Sequence, residues 1–229
     1  MKQDNRPDSN VAFLFDLDGT LIDSVYQHVL AWREALEGAG IELSVWRIHR
    51  RIGMSGGLFM NALARETGRP VSPSQASRLL RLHKEAYLRR AKDVRPLPGA
   101  RELLAYLSEA EVPWAIATSG RLETAQSAFK SLGLKSDATI ITRDLVARAK
   151  PDPDLFLAAA ARLGVPIADC VVVGDSVWDL LAARRCRALG VGLLSGGYGQ
   201  DELEGAGAYR VYEDPADLFR HLDEVGVRS

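Results

Sequence analysis

The stretch VAFLFDLDGTLIDS, residues 11–24, decides how the rest of the chain is read. Five apolar residues run without interruption to Asp16. A second acid, Asp18, follows two positions later, ahead of Gly19 and Thr20. Continuous rather than alternating apolar character is expected of a strand covered on both faces. A buried strand that ends in two carboxylates needs partners or a cation there, because burying unpaired charge is costly.

The same kind of run recurs outward from this stretch: VPWAIAT (112–118), ATII (138–141), CVVVGD (170–175) and LGVGLL (189–194), with YRVY (209–212) a weaker, edge-like candidate. Amphipathic stretches of helix length separate them. Leu103, Leu104 and Leu107 repeat at helical spacing in GARELLAYLSEA (99–110), and LETAQSAFKSLG (122–133) closes on Gly133, a natural helix stop. DPDLFLAAAARLG (152–164) reads with Asp152 as N-cap, Pro153 as first helical residue and Gly164 as C-cap; DPADLFRHLDEVG (214–226) has the same layout. Strands alternating with helices predict parallel βαβ units. The expected fold is α/β, with a Rossmann-like, doubly wound, mostly parallel sheet.

Residues 22–94 break that rhythm and show no convincing strand. Helices are expected at about 25–39, 44–52, 56–67 and 74–91, with Asp23 and Ser24 capping the first. TGRPVSPS (67–74) and DVRPLPGA (93–100) are Pro/Gly-rich joints. The predicted organisation is a core of residues 1–21 and 95–229 with an all-helical insert, 22–94, in the first crossover. The insert carries ten Arg and two Lys against two Asp and five Glu, a balance of +5, which leaves −6 for the remainder of a chain whose net charge is −1.

Composition narrows the function class. The 229 residues are 47% hydrophobic and 26% charged, ordinary for a soluble domain with a real core. A net charge of −1 without a Lys/Arg block argues against a general nucleic-acid binder. No apolar run approaches the roughly 18 residues of a membrane span. The opening MKQDNRPDSN lacks the apolar core of a signal peptide and reads as a short disordered tail. Cys170 and Cys186 fit no metal-ligand spacing; Cys170 reads as a buried, reduced thiol, and a cytoplasmic location is the simplest expectation.

In an open α/β sheet, ligands bind beyond the carboxyl ends of the strands. Asp16 and Asp18 follow the first run, and Thr118, Ser119 and Gly120 the second. Lys150 follows the third; Gly174, Asp175 and Asp179 follow the fourth. Converging carboxylates repel unless a cation sits among them, and Mg²⁺ suits a few carboxylate oxygens plus water and phosphate oxygens. A carboxylate attacks phosphorus well enough to form an aspartyl-phosphate. The remaining needs of phosphoryl transfer are positioning and charge neutralisation, which Mg²⁺, the Lys150 ammonium, the Thr118 hydroxyl and backbone N–H groups would supply.

DLDGTLIDS (16–24), ATSGR (117–121), AKPDP (149–153) and GDSVWD (174–179) resemble, in order, motifs one to four of the haloacid dehalogenase superfamily. The insert is similar to the helical cap of the subgroup containing phosphoglycolate phosphatase and β-phosphoglucomutase. The resemblance implies that Asp16 is the nucleophile. It implies that Asp18 protonates the leaving oxygen, later deprotonates water, and binds metal through its backbone carbonyl. Thr118 and Lys150 would hold and neutralise the phosphoryl group, with Leu17, Ser119 and Gly120 completing the phosphate site. Asp175 would bind Mg²⁺, with Asp179 as a further ligand or its support, while Gly19 and Thr20 shape the flap into the cap.

The implied activity is a Mg²⁺-dependent phosphatase acting on a small phosphorylated metabolite through a phospho-aspartate. The alternatives are a phosphomutase and a non-catalytic module that binds a phosphorylated ligand. Two departures bear on this. Ala149 stands where the subgroup often has Gly. In RIGMSGGLF (51–59), Gly56 stands where the mutases usually carry Arg, which weakens the mutase reading and leaves Arg50, Arg51 and Ser55 as candidate substrate contacts. An acid at Asp18 favours phosphate esters over carbon–halogen bonds. SGGYGQDEL (195–203) reads either as a loop at the rim of the site or as a turn before a helix.

Overall fold

In a computed structural model, which describes residues 11–68 and 70–227, the first apolar run forms β1 (Ala12–Phe15), buried at every residue. The expected disordered tail lies outside the described residues. A two-residue strand β2 (Ile22–Asp23) follows. Then come α1 (Val25–Glu37), α2 (Val45–His49), α3 (Gly56–Thr67) and α4 (Pro73–Arg90), and β3 (Arg95–Pro96) returns to pair antiparallel with β2. From there helices and strands alternate: α5 (Ala100–Glu109), β4 (Trp114–Ala117), α6 (Leu122–Leu132), β5 (Ile140–Ile141), α7 (Asp154–Leu163) and β6 (Cys170–Gly174). The chain ends with α8 (Val177–Cys186), β7 (Leu189–Leu193), α9 (Gln200–Ala206), β8 (Ala208–Tyr212) and α10 (Pro215–Arg220).

The six main strands form one sheet in the order β5-β4-β1-β6-β7-β8, parallel at every pairing. Leu14 sits opposite Ala115 on one side and Val172 on the other. The strand order reverses at β1, so a crevice opens at its carboxyl end, where the chain leaves in opposite directions. The weak candidate YRVY is the edge strand β8, and its half-exposed residues explain why its pattern was faint.

Alternation along β1 sorts the two faces. Phe13 and Phe15 join Leu103, Leu107, Phe129 and Leu218 on one side. Ala12 and Leu14 join Leu155, Phe156, Ala159 and Ala182 on the other. Full burial of each such large side chain contributes about 1.5–3 kcal/mol, which makes this double layer the main stabilising element.

The segment between β2 and β3 buries a cluster of its own, built on Val25, Val29, Trp32, Ile48, Phe59, Leu63 and Leu79. Its helices are clearly signalled. Ser72 and Gln75 form a reciprocal cap at the start of α4, with bonds of 2.9 and 3.2 Å. No helix among the described residues is long and apolar enough to cross a membrane. Cys170 and Cys186 are buried and not joined to each other.

Local expectations needed correction at α7. Asp152 is not its N-cap. The helix starts one residue later because the Pro153 carbonyl already accepts from Leu157 N–H at 3.0 Å. Asp152 instead lies 3.5 Å from Arg185. At α10 the start of that layout holds, with the Asp214 carboxylate accepting from Asp217 N–H at 2.9 Å, but the helix stops at Arg220 and Gly226 closes a separate 3-10 turn, Leu222–Val225.

Candidate active site

β1 carries Asp16 to the sheet edge while the ladder is still intact: Asp16 N–H donates to Val173 O at 2.9 Å. The chain then folds tightly on the Leu17 carbonyl, which accepts from Leu21 N–H at 2.9 Å and Ile22 N–H at 3.1 Å. Gly19 makes this turn possible. Its φ is +84°, and a methyl group there would overlap the Asp175 carboxylate.

Lys150 is fully buried and its ammonium pairs with both Asp16 and Asp179, the second at 2.8 Å. The Thr20 hydroxyl donates to Asp175 Oδ1 at 2.9 Å. Asp179 Oδ2 accepts from Ser176 Oγ at 2.5 Å and Ser176 N–H at 3.2 Å. Carboxylate oxygens of Asp16, Asp175 and Asp179 all lie within 4.8 Å of one another. Asp18 is not part of that group.

Three buried acids therefore share one ammonium among the described residues. Burial pushes the Asp16 carboxyl up to about 7; Lys150 opposes this, and the charges of Asp179 and Asp18 add to it. Burial, then Asp179 and Asp16, holds Asp175 well above the usual carboxylate range. Lys150 is held above its ordinary value because Asp16 and Asp179 outweigh its burial. A set of crowded oxygen donors short of positive charge fits a hard divalent cation.

Asp18 has a different environment. Burial alone would raise its pKa, but His28 and the Ser24 hydroxyl prevail and hold it below the usual range. Ser24 Oγ donates to Asp18 Oδ1 at 2.6 Å, and His28 Nε2 lies 3.1 Å from the same oxygen. This corrects the expected capping role: Ser24 stands at the start of α1 but makes no capping bond there, and Asp23 is exposed in β2. The bond from Ser24 to the Asp18 carboxylate turns the hydroxyl away from the helix N–H groups.

Thr118 follows β4 and is fully buried; its Oγ1 accepts from Gly120 N–H at 2.9 Å. Ser119 Oγ donates to Gly53 O at 2.9 Å, which ties the site to the helical insert. Asp16, Asp18, Thr118, Ser119 and Gly120 line one side of a cavity of about 690 Å³, and His28, Trp32, Arg51, Phe59 and His83 line the other. Lys84 and Glu123 meet at its mouth, 2.7 Å apart.

Of the three candidate substrate contacts, Arg51 lines this cavity, held by Glu66. Arg50 and Ser55 do not. The turn that carries them is pinned to the core by its backbone: Ser55 N–H donates to Lys150 O at 3.0 Å, and Arg50 O accepts from Tyr198 OH at 3.0 Å. Arg50 is thereby aimed away, pairing with Glu202 and lying over the Tyr198 ring at 4.1 Å. The Ser55 hydroxyl caps α3.

The Gly-rich loop proves to be both a rim and a turn before α9. Ser195 Oγ donates to Gly19 O at 2.6 Å, and His49 Nε2 lies 2.8 Å from Gly196 O. A methyl group at Gly196 would overlap the Asp175 carboxylate. Sequence reasoning missed this contact, together with His28 and His83. The available signal was a histidine on the apolar face of α1, between Val25 and Trp32.

A family profile described as haloacid dehalogenase-like hydrolase matches residues 11–187. Hexitol phosphatase A of Escherichia coli is 35% identical over 184 residues, covering 78% of this chain and 82% of that protein. Beta-phosphoglucomutase of Bacillus subtilis is 30% identical over 217 residues, 92% of each chain. The solved structure of a hydrolase from Pseudomonas syringae superposes with a TM-score of 0.92 at 57% identity, covering 94% of this chain and 99% of that one.

Proposed function

Since the chain belongs to the haloacid dehalogenase-like hydrolase family, we propose that it is a Mg²⁺-dependent phosphatase that cleaves a small phosphate monoester through a phosphorylated Asp16. The observation that carries this reading is the position of Asp16, which directly follows the strand at the switch point and lines the cavity with the Lys150 ammonium paired to it. The helical insert, residues 22–94, acts as the cap over that cavity.

Asp16 attacks phosphorus, and an oxygen–phosphorus bond forms as the ester oxygen departs. Asp18, whose free carboxyl is kept ionised, despite burial, by His28 and the Ser24 hydroxyl, takes up the proton that the ester monoanion brings and gives it to that oxygen. Asp18 then takes a proton from water, which attacks the phospho-aspartate and frees inorganic phosphate. Thr118 presents its O–H to the phosphoryl group because its oxygen is already engaged by Gly120 N–H. Leu17 and Ser119 would add backbone N–H groups. Lys150 holds the Asp16 oxygen that does not attack. Asp16, Asp175 and the Asp18 carbonyl would hold Mg²⁺, with Asp179 in reach. When bound, the ion neutralises phosphate charge.

We infer a small phosphorylated metabolite as substrate, in keeping with relatives named for a hexitol phosphatase and a phosphoglucomutase. The mutase relative gives the second reading its support. Gly56 weighs against it, standing where the mutases usually carry Arg, while Arg51, Arg81, Lys84, Arg121 and Arg143 supply the cavity's cations.

Purified protein with Mg²⁺ should release phosphate from members of a panel of phosphate monoesters and stop when the metal is chelated. Accumulation of an isomer without phosphate would make it a mutase, and no turnover of any ester would reject the reading. Gly196→Ala should raise the Mg²⁺ concentration for half-maximal activity by about 10- to 100-fold, the usual effect of disturbing a group that supports a ligand. An unchanged metal requirement would show that Asp175 is not held as described.

A further inference from the structure

The two oxygens of Asp18 have unequal surroundings. Oδ1 is engaged by Ser24 Oγ at 2.6 Å and His28 Nε2 at 3.1 Å. Oδ2 lies towards Gly120, 3.7 Å from where a methyl group on that residue would stand, and both residues line the cavity. The oxygen that faces a bound ester is therefore Oδ2, and its aim depends on how firmly Oδ1 is held.

His28 is the outer holder, and its ring is held at one face and at both nitrogens. One face lies against Tyr87, with centroids 3.9 Å apart and planes within 4°. Nδ1 lies 3.2 Å from His83 Nε2, so one ring gives a proton and the other a lone pair. His83 is stacked on Trp32 at 4.2 Å, and Trp32 on Phe59 at 4.2 Å. Burial, then His28, keeps the His83 pKa well below the ordinary value, so His83 is a neutral partner. His28 sits on α1, whereas His83 and Tyr87 sit on α4.

We propose that His83 is a positioning residue for the acid/base carboxylate: its bond to His28 Nδ1 fixes the ring whose Nε2 holds Asp18 Oδ1, which keeps Oδ2 turned towards the leaving oxygen. This role rests on the phosphatase reading. It makes proton delivery depend on the packing of α4 against α1, a contact between segments 55 positions apart.

The test uses two variants and two esters. His83→Phe keeps the ring stack and removes the bond; His83→Gln keeps a donor and an acceptor at the reach of Nε2. An alkyl phosphate needs its leaving oxygen protonated, whereas p-nitrophenyl phosphate has a good leaving group and does not. His83→Phe should lower kcat/KM, which reports the transfer to Asp16 and not the hydrolysis shared by both esters, by about 10- to 100-fold on the alkyl ester and by less than about 3-fold on the nitrophenyl ester. His83→Gln should recover most of the loss. Equal losses on both esters, no loss, or Gln performing no better than Phe would overturn the role while leaving the phosphatase reading intact. Wild-type protein that turns over neither ester would overturn both.

Discussion

Asp16→Asn should abolish phosphate release, lowering kcat by at least about 10⁴-fold, while the protein stays folded. The amide has the shape of the carboxylate but lacks its nucleophilic oxygen, and Asp18, a second carboxylate lining the cavity, is engaged by Ser24 and His28. The fold should tolerate the change. Asp16 is buried with its pKa pushed up to about 7, so a neutral side chain is readily accommodated there, and Lys150 keeps Asp179 as a partner. Thermal unfolding alongside a phosphate-release assay separates the two effects. Turnover that survives would move the nucleophile elsewhere; a large fall in Tm would mean that Asp16 is chiefly structural.

Lys150→Met is expected to have the largest effect on stability. Met nearly matches the aliphatic volume, but the change strands Asp16 and Asp179 without their shared ammonium in a fully buried place. Removing one partner of a buried ion pair costs roughly 3–5 kcal/mol. For a chain of this size that corresponds to a fall in Tm of about 6–20 °C. Activity should be lost even below the variant's Tm, because the non-attacking oxygen of Asp16 is no longer held. A Tm within about 2 °C of wild type in metal-free buffer would show that the two acids find other compensation.

The acids of the candidate site were legible because they follow uninterrupted apolar runs, and such runs mark buried parallel strands whose ends gather at one edge. The helices between β2 and β3 were legible from the lack of any such run there. What stayed hidden depends on direction rather than on residue type. Ser24 occupies a capping position, yet its hydroxyl turns back to Asp18. Arg50 and Arg51 are neighbours, but the pinned turn sends one to Glu202 and leaves the other on the cavity wall. His28 and His83 meet only because α1 packs on α4, and no local periodicity records that pairing. Gly196 was visible as a glycine, but its closeness to Asp175 comes from strands β6 and β7 lying side by side.

Asp16 should become phosphorylated during turnover. Quenching the enzyme in acid during steady turnover, then reducing acyl-phosphates with borohydride, should convert residue 16 to homoserine in the peptide that carries it, as read by mass spectrometry. Steady phosphate release with residue 16 unmodified in the quenched protein would contradict the account.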